Sequence, residues 1–302
     1  MGDLFKALTS GLSRFIYAWL MPSVIAVGVS VLVLLPDDTR SRITSVGGAA
    51  TFIVTVLGLS LISAYAGRPV YQFLEGYTMP RWLARPLRRG SQRRWLRLNL
   101  LVKHGNARVR ADAIESLKMY PSRLEWIMPT KLGNALRGLE TYGYARFGLN
   151  SQTFWYELRS AASDKIREST EEARSAVDFF LSSIIHLILL LLAGVGAAIF
   201  LPNRSVAGLG VAVASAILLP CAYFQAVKNV IEWRYSVQAL VNTSRGALAK
   251  SLGFELPSTL RAEARLWKEL DDYVHFGDRE TLGRIDSLQH RLPPSNPGAD
   301  PA

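Results

Sequence analysis

The chain is poor in the residues that build metal centres and disulfide frameworks. It has one cysteine and four histidines in 302 residues. A single cysteine, Cys221, permits no internal disulfide and no cluster of thiolate metal ligands. The histidines have no Cys, His or carboxylate partners at metal-ligand spacing. The sequence therefore predicts no metal and no other cofactor.

Motifs for nucleotide binding and catalysis are also missing. No P-loop is present. Gly208 and Gly210 lie inside an apolar segment with no preceding strand, so they do not form a dinucleotide-binding loop. Asp271 and Asp272 lie in mixed-charge helical sequence, where we expect solvated carboxylates. We therefore expect that the protein is not an enzyme. The alternative is an enzyme whose site is not recognisable from the sequence.

Charge is absent from four long apolar segments. Each is close to the roughly 20 apolar residues that a helix needs to cross a hydrocarbon core of about 30 Å. None contains Lys, Arg, Asp or Glu, and no strand alternation lies between them. We predict an all-α polytopic membrane protein with two transmembrane helical hairpins and a cytoplasmic helical domain. The predicted spans are Phe15–Leu35, Gly47–Ala66, Phe179–Leu201 and Val206–Phe224.

Basic residues are distributed unevenly around these spans. Residues 67–178 contain twenty of the 35 Lys and Arg residues, whereas the short loops 36–46 and 202–205 contain three. Because basic loops remain on the cytoplasmic side, we expect this block and both termini in the cytoplasm. The predicted organisation is a cytoplasmic N-terminus (1–14), hairpin 1 (15–66), a basic helical domain (67–178), hairpin 2 (179–224), cytoplasmic C-terminal helices (225–292) and a disordered tail (293–302).

A cluster of arginines without any acidic residue follows the first hairpin. Trp82, Leu83, Leu87 and Trp95 are interleaved with them. Arginine and tryptophan beside a span suit an anionic bilayer surface, where each basic residue contributes about 1 kcal/mol. The arginines could instead only fix topology, or bind nucleic acid, although no nucleic-acid module is present and the membrane offers the nearest polyanion. The candidate lipid contacts are Arg81, Arg85, Arg88, Arg89, Arg93, Arg94 and Arg97.

One ionisable side chain, His186, lies within a predicted span, and such a residue is a functional-site hypothesis. Asp178, Ser182 and His186 follow at i, i+4 and i+8, so they share a helix face. One interpretation is a polar relay or coordination point that faces the bundle interior. The other is a histidine near the membrane surface that is bonded to a neighbouring hydroxyl or backbone group.

Small residues recur every fourth position in the spans. Such faces let helices approach closely in lipid, which predicts helix packing. The alternative is that some of them line a narrow pore in an oligomer. The sets are Gly47, Thr51 and Thr55; Ala193 and Ala197; Gly194 and Ala198; and Gly210 and Ala214.

Three motifs resemble a known group of proteins. They are FLEGY at 73–77, PTKLGNALRGLE at 129–140, and LGFELPSTLRAEARLWKEL at 252–270. Together they are similar to a group of multi-pass membrane proteins, mainly from actinobacteria, in which Lys131 is replaced by arginine. The resemblance implies the four-span architecture and a bacterial membrane, and it implies no activity. Within the second motif, Thr130 could cap a helix, while a ligand-binding use of the segment is the alternative.

These observations leave two main functional hypotheses. The first is a non-enzymatic scaffold or regulatory subunit whose cytoplasmic helices dock a protein partner, because the polar part has more tryptophan and arginine than anchoring needs. The second is a homo-oligomeric channel or transporter subunit with hydroxyl-bearing faces around a pore. Under either hypothesis the bilayer, and anionic lipids in particular, is an expected partner.

Overall fold

A computed structural model describes residues 12–35, 45–277 and Gly283. Within these ranges the chain is helical and contains no β-strand, as the sequence predicts. Most of the loop 36–46 and all of the predicted tail 293–302 lie outside the described residues. The helices are α1 (Leu12–Leu34), α2 (Val46–Glu75), α3 (Arg81–His104), α4 (Ala107–Leu117), α5 (Lys131–Glu140), α6 (Tyr142–Phe147), α7 (Trp155–Ala161), α8 (Asp164–Phe200), α9 (Ser205–Ser251) and α10 (Leu260–Phe276).

Four of these helices, α1, α2, α8 and α9, are long and apolar enough to cross a membrane. They coincide with the four predicted spans in order, and the first and third of these helices end one residue before the predicted span does. The protein is therefore an all-α, multi-pass membrane protein, which confirms the predicted fold class.

Three spanning helices continue well beyond their apolar segments. Helix α2 ends at Glu75, where Gly76 adopts a left-handed conformation with φ of 99° and closes the last turn. Helix α8 begins at Asp164, fifteen residues before its apolar part. Helix α9 runs unbroken for 47 residues, so the first part of the predicted C-terminal segment 225–292 belongs to the same helix as the fourth span. Apolar sequence marks the membrane-spanning part of a helix, whereas backbone hydrogen bonding continues into the polar sequence beside it.

The chain divides into two compact units. Unit 1 comprises Met1–Arg93, Met128–Gly133 and Glu171–Trp233, and unit 2 comprises Arg94–Ile127, Asn134–Thr170 and Arg234–Ala302. Unit 1 therefore contains the apolar parts of all four spanning helices. Unit 2 is built from the C-terminal part of α3 with α4, from most of α5 with α6, α7 and the start of α8, and from the C-terminal end of α9 with α10.

Small residues bring the second hairpin of unit 1 together. A Cβ atom added to Gly194 would lie 2.7 Å from the carbonyl oxygen of Gly208, so the backbones of α8 and α9 touch at this point. The predicted packing role of small residues is thereby confirmed for the Gly194 face. Gly210, in contrast, has open space around it.

Unit 2 has an aromatic and apolar core. Trp267 of α10 is fully buried and its ring lies 5.9 Å from that of Phe154. Leu266 and Leu270 are buried beside it on the same face of α10. Closer to the start of the unit, α3 and α4 pack around a second cluster, formed by Leu98, Ala113, Tyr120 and Ile127.

Candidate functional site

His186 lies in the interior of the helix bundle in unit 1. Its side chain is 2% exposed, on the face of α8 that is turned towards α1 and α2. The imidazole Nε2 lies 2.8 Å from the hydroxyl oxygen of Ser23 and 3.5 Å from that of Ser63. Three spanning helices therefore meet at this ring.

The contacts of the ring determine where its hydrogen lies. Nδ1 is 2.7 Å from the backbone carbonyl oxygen of Ser182, a group that only accepts hydrogen bonds, so Nδ1 carries a hydrogen. In a neutral ring Nε2 then accepts, and the Ser23 hydroxyl is the nearest donor. That hydroxyl also lies 2.9 Å from the carbonyl oxygen of Trp19. Since a serine has one hydroxyl hydrogen, it cannot donate to both partners at once.

The predicted triad is brought together only in part. The Ser182 hydroxyl lies 3.4 Å from His186 Nδ1, so these two residues do meet. The carboxylate of Asp178 instead accepts a hydrogen bond of 2.7 Å from the Tyr71 hydroxyl on α2, and its other oxygen lies 3.8 Å from Arg174. Each of the two interpretations of the sequence agrees with part of this geometry. The ring faces the bundle interior, as the first expects, and it is bonded to a hydroxyl and a backbone group, as the second expects.

These residues belong to a longer polar stripe on α8. Its members follow at intervals of three or four residues and so lie on one side of the helix. The stripe begins at Glu171, which forms an ion pair with Arg14 of α1. Its members, here called the α8 stripe, are Glu171, Ser175, Asp178, Ser182 and His186.

The stripe ends at His186. Further along α8 the buried side chains are apolar, and Leu190 and Ala197 belong to a cluster with Ala26, Leu34 and Val211 from α1 and α9. From 187 to 200 the helix has no ionisable side chain. The polar face is therefore open towards Glu171 and closed by apolar packing at the other end.

The partners of the stripe could not be identified from sequence. Arg14, Ser23, Ser63 and Tyr71 are distant in the chain from α8, by up to 163 residues for the Ser23–His186 pair. Serine in a spanning helix is common, because its hydroxyl can bond the carbonyl four residues earlier, as Ser60 does with Val56. Only the packing of the helices shows which hydroxyls reach the histidine.

The arginine cluster lies on α3, and all seven predicted lipid contacts are exposed. Large apolar side chains share the exposed side, with Trp82 77% exposed and Leu96 and Leu100 also open. Trp82, Arg89, Arg93, Leu96 and Leu100 follow at intervals of seven, four, three and four, which places them on one line along the helix. The cluster is thus a mixed cationic and apolar face.

The PTKLGN segment holds the end of α2 within unit 1. The Thr130 hydroxyl donates to the carbonyl of Leu74 at 2.5 Å and accepts from the Gly133 N–H at 2.9 Å. A Cβ atom at Gly133 would clash with the carbonyl oxygen of Glu75, so the backbones approach closely here. The predicted capping role of Thr130 is confirmed, and the segment satisfies carbonyls that the end of a helix leaves unpaired.

No group of three or more His, Cys, Asp or Glu side chains suited to a metal occurs in residues 12–35 and 45–277. Comparison with protein families, with curated proteins and with solved structures found no match for this chain. Function is therefore inferred from the geometry of α3 and of the α8 stripe.

Proposed function

We propose that this protein is a non-enzymatic scaffold or regulatory subunit of a bacterial cell membrane, which docks a protein partner through its polar helices. The observation that carries the proposal is the exposed face of α3. Tryptophan and arginine are the residues that protein interfaces favour most strongly over the rest of a surface. Lipid can cover exposed apolar side chains in the spanning helices, whereas Trp82, Leu96 and Leu100 lie outside the apolar segments.

The same face supports contact with anionic lipid. Arginine neutralises lipid phosphates, while tryptophan and leucine enter the interfacial region of the bilayer. The lipid contact would hold the face near the membrane, and a protein partner would bind over it or beside it. In this arrangement the central block and both termini are cytoplasmic, because they contain most of the basic residues.

The docking proposal is tested by purification of the full-length protein from native membranes, followed by mass spectrometry of what accompanies it. We expect one partner in stoichiometric amount. Substitution of Trp82, Leu96 and Leu100 with serine should release that partner. The matched control replaces Ile53, Val54 and Leu61, which are exposed on the spanning helix α2, with alanine and should leave the partner bound. Recovery of this chain alone from wild-type membranes would contradict the proposal.

Binding of anionic lipid can be tested separately from docking of the protein partner. Full-length protein carrying Arg89→Gln and Arg93→Gln should bind fewer anionic lipid molecules than wild type in native mass spectrometry. The difference should shrink with added salt, because attraction to exposed charges decays over about 10 Å at 0.1 M. Equal lipid binding by wild type and variant would assign these arginines to topology only.

Orientation has its own test. Single cysteines at Asp38 and Gly105, in a Cys221→Ala background, should react with an impermeant thiol reagent from opposite sides of the membrane. Gly105 should react only in inverted vesicles. Reaction of both from the same side would contradict the proposed topology.

A homo-oligomeric channel or transporter subunit is the second candidate, and one observation favours it. The Gly47, Thr51 and Thr55 face of α2 is exposed, and nothing lies within 4 Å of a Cβ atom at Gly47. Close-packing faces of this kind can join copies of a chain in lipid. A symmetric homo-oligomer that conducts ions in planar bilayers would favour this candidate over the scaffold.

A further inference from the structure

We propose that His186 is a proton-binding site inside the membrane, reached from one side only along the α8 stripe. This inference concerns the spanning helices and is independent of docking on α3. The proton comes from water at the Glu171 end and is held on Nε2, and it leaves by the same route. No electron moves and no covalent bond to another group forms or breaks.

The contacts around the imidazole ring can satisfy its doubly protonated form, in which both ring nitrogens carry a hydrogen. In the neutral ring, the single hydrogen of Ser23 serves either Nε2 or the Trp19 carbonyl. With Nε2 protonated, Nδ1 donates to the Ser182 carbonyl, Nε2 donates to Ser23, and Ser23 donates to Trp19. All three short contacts are then satisfied at once, each by one hydrogen. The site therefore presents acceptors for both ring N–H groups before any proton arrives.

The α8 stripe supplies the route. Glu171 to His186 spans about 22 Å at 1.5 Å per residue, and a polar side chain occurs at every turn. Glu171 is the outermost member and its side chain is still 18% exposed, so water reaches this end. Asp178 and Ser182 lie between it and the ring, and Tyr71 contacts the route from α2.

Apolar packing blocks the other end. Helix α8 continues for about 21 Å from His186 to Phe200 at the same rise, with only apolar residues. Leu190 and Ala197 pack against apolar side chains of α1 and α9. Along α8 itself, a proton on His186 therefore has no further polar side chain to move to on that side, so the described residues support binding and not transport.

No charged group contacts the ring among the residues that the structure describes. The ionisable groups facing the route are Arg14 on α1, Tyr71 on α2, and Glu171, Arg174 and Asp178 on α8 itself. On α9, residues 205–227 contain no Lys, Arg, Asp, Glu or His, and Tyr223 lies near the N–H of Leu132. Titration at the ring therefore depends on the hydroxyl and carbonyl partners more than on a neighbouring charge.

The first test is nitrogen NMR of full-length protein in lipid bilayers, with 15N-labelled histidine and His186→Gln to assign the signal. At high pH the ring should be neutral with its hydrogen on Nδ1. As the pH falls, Nε2 should also become protonated. A hydrogen on Nε2 in the neutral ring, or no titration in folded protein, would overturn the proposal.

Serine variants sharpen this test. Ser23→Ala removes the acceptor for Nε2–H and should move the midpoint of the His186 titration to lower pH by about one unit, the size expected for a hydrogen bond to a charged group. Ser215→Ala, at a buried serine of α9 outside the stripe, should leave the midpoint unchanged. Equal midpoints in wild type and Ser23→Ala would contradict the proposed acceptor.

The second test concerns the side of access. In vesicles with uniformly oriented protein and different internal and external pH, the His186 signal should follow the compartment on the Glu171 side. Wild-type proteoliposomes should show no proton flux above that of empty vesicles. A signal that follows the other compartment, or a proton flux abolished by His186→Gln, would overturn one-sided binding.

Discussion

Arg245 Nε lies 2.9 Å from the carboxylate of Glu263, whose side chain is only 4% exposed. The pair joins α9 to α10 within unit 2. The same carboxylate oxygen accepts from the indole N–H of Trp267 at 3.2 Å, so one buried acid holds both the cation and the central aromatic ring. The guanidinium also lies 4.1 Å from the centre of the Phe147 ring. A buried charge needs partners of this kind, because burial without them is costly.

Removal of that acid should destabilise unit 2 strongly. Glu263→Ala leaves the Arg245 guanidinium and the Trp267 indole without their acceptor, and breaking a buried pair from one side costs about 3–5 kcal/mol. Lys268→Ala, at an exposed position on the same helix, is the control and should change stability by less than about 0.5 kcal/mol. Thermal unfolding in detergent, followed by tryptophan fluorescence, measures both. Equal unfolding temperatures for the two variants would contradict the role of the pair.

The contact of Gly133 with the end of α2 predicts a sharp difference between two glycines. Gly133→Ala would place a Cβ atom in a clash with the Glu75 carbonyl oxygen, which requires the backbone to move, so this variant should unfold at a lower temperature than wild type. Gly90→Ala in α3 meets nothing within 4 Å and should stabilise the helix by about 0.5–1 kcal/mol. The measurement is the unfolding temperature of each full-length variant. An unfolding temperature for Gly133→Ala at or above that of wild type would show that α2 does not need this close approach.

The sequence predicted the positions of the helices more accurately than the contacts between them. The four spans follow from apolar runs of membrane length, whereas the polar start of α8 at Asp164 lies outside the predicted span. The shared face of Asp178, Ser182 and His186 follows from helical periodicity alone. That Asp178 pairs with Tyr71, while His186 meets Ser23, depends on how α1, α2 and α8 pack, and periodicity within one helix carries no information about a neighbour's rotation. The cap that Thr130 forms on its own helix was predictable because it is local, whereas its hydrogen bond to the Leu74 carbonyl was not, because the two residues are 56 positions apart in the chain.

The hydrogen bond between Tyr71 and Asp178 should contribute measurably to the stability of unit 1. Tyr71→Phe removes the 2.7 Å donor and leaves the ring in place, so it should cost about 1.5–3 kcal/mol, the range for a hydrogen bond to a charged group. Tyr65→Phe on the same helix removes the hydroxyl from a side chain that is 88% exposed and should be neutral. The comparison requires unfolding curves in one detergent at one pH. A Tyr71→Phe protein as stable as Tyr65→Phe would show that Asp178 is satisfied by other groups.

Glu140 predicts a pH dependence in unit 2. Burial raises the pKa of its carboxyl above the ordinary value of 4.5, and the Arg137 side chain, 3.2 Å away, offsets only part of that rise. The folded state therefore holds this proton more tightly than the unfolded state. Above about pH 4.5, the unfolded chain binds fewer protons at this site than the folded chain does. The free energy of unfolding therefore falls as the pH rises through the pKa of Glu140 in the folded state.

Glu140→Gln removes this titration while nearly preserving the shape of the side chain. The stability of wild type relative to Glu140→Gln should therefore be greatest below about pH 4.5 and should decline as pH increases. Glu157→Gln, at an exposed position on α7, is the control, and the stability of wild type relative to this variant should not decline in the same way. Denaturant unfolding of the three proteins at several pH values gives the slopes, and differences between variants cancel the titration of all other carboxylates. A relative stability of wild type that rises with pH would mean that the Arg137 pair outweighs burial, and that the pKa of Glu140 is lowered in the folded protein.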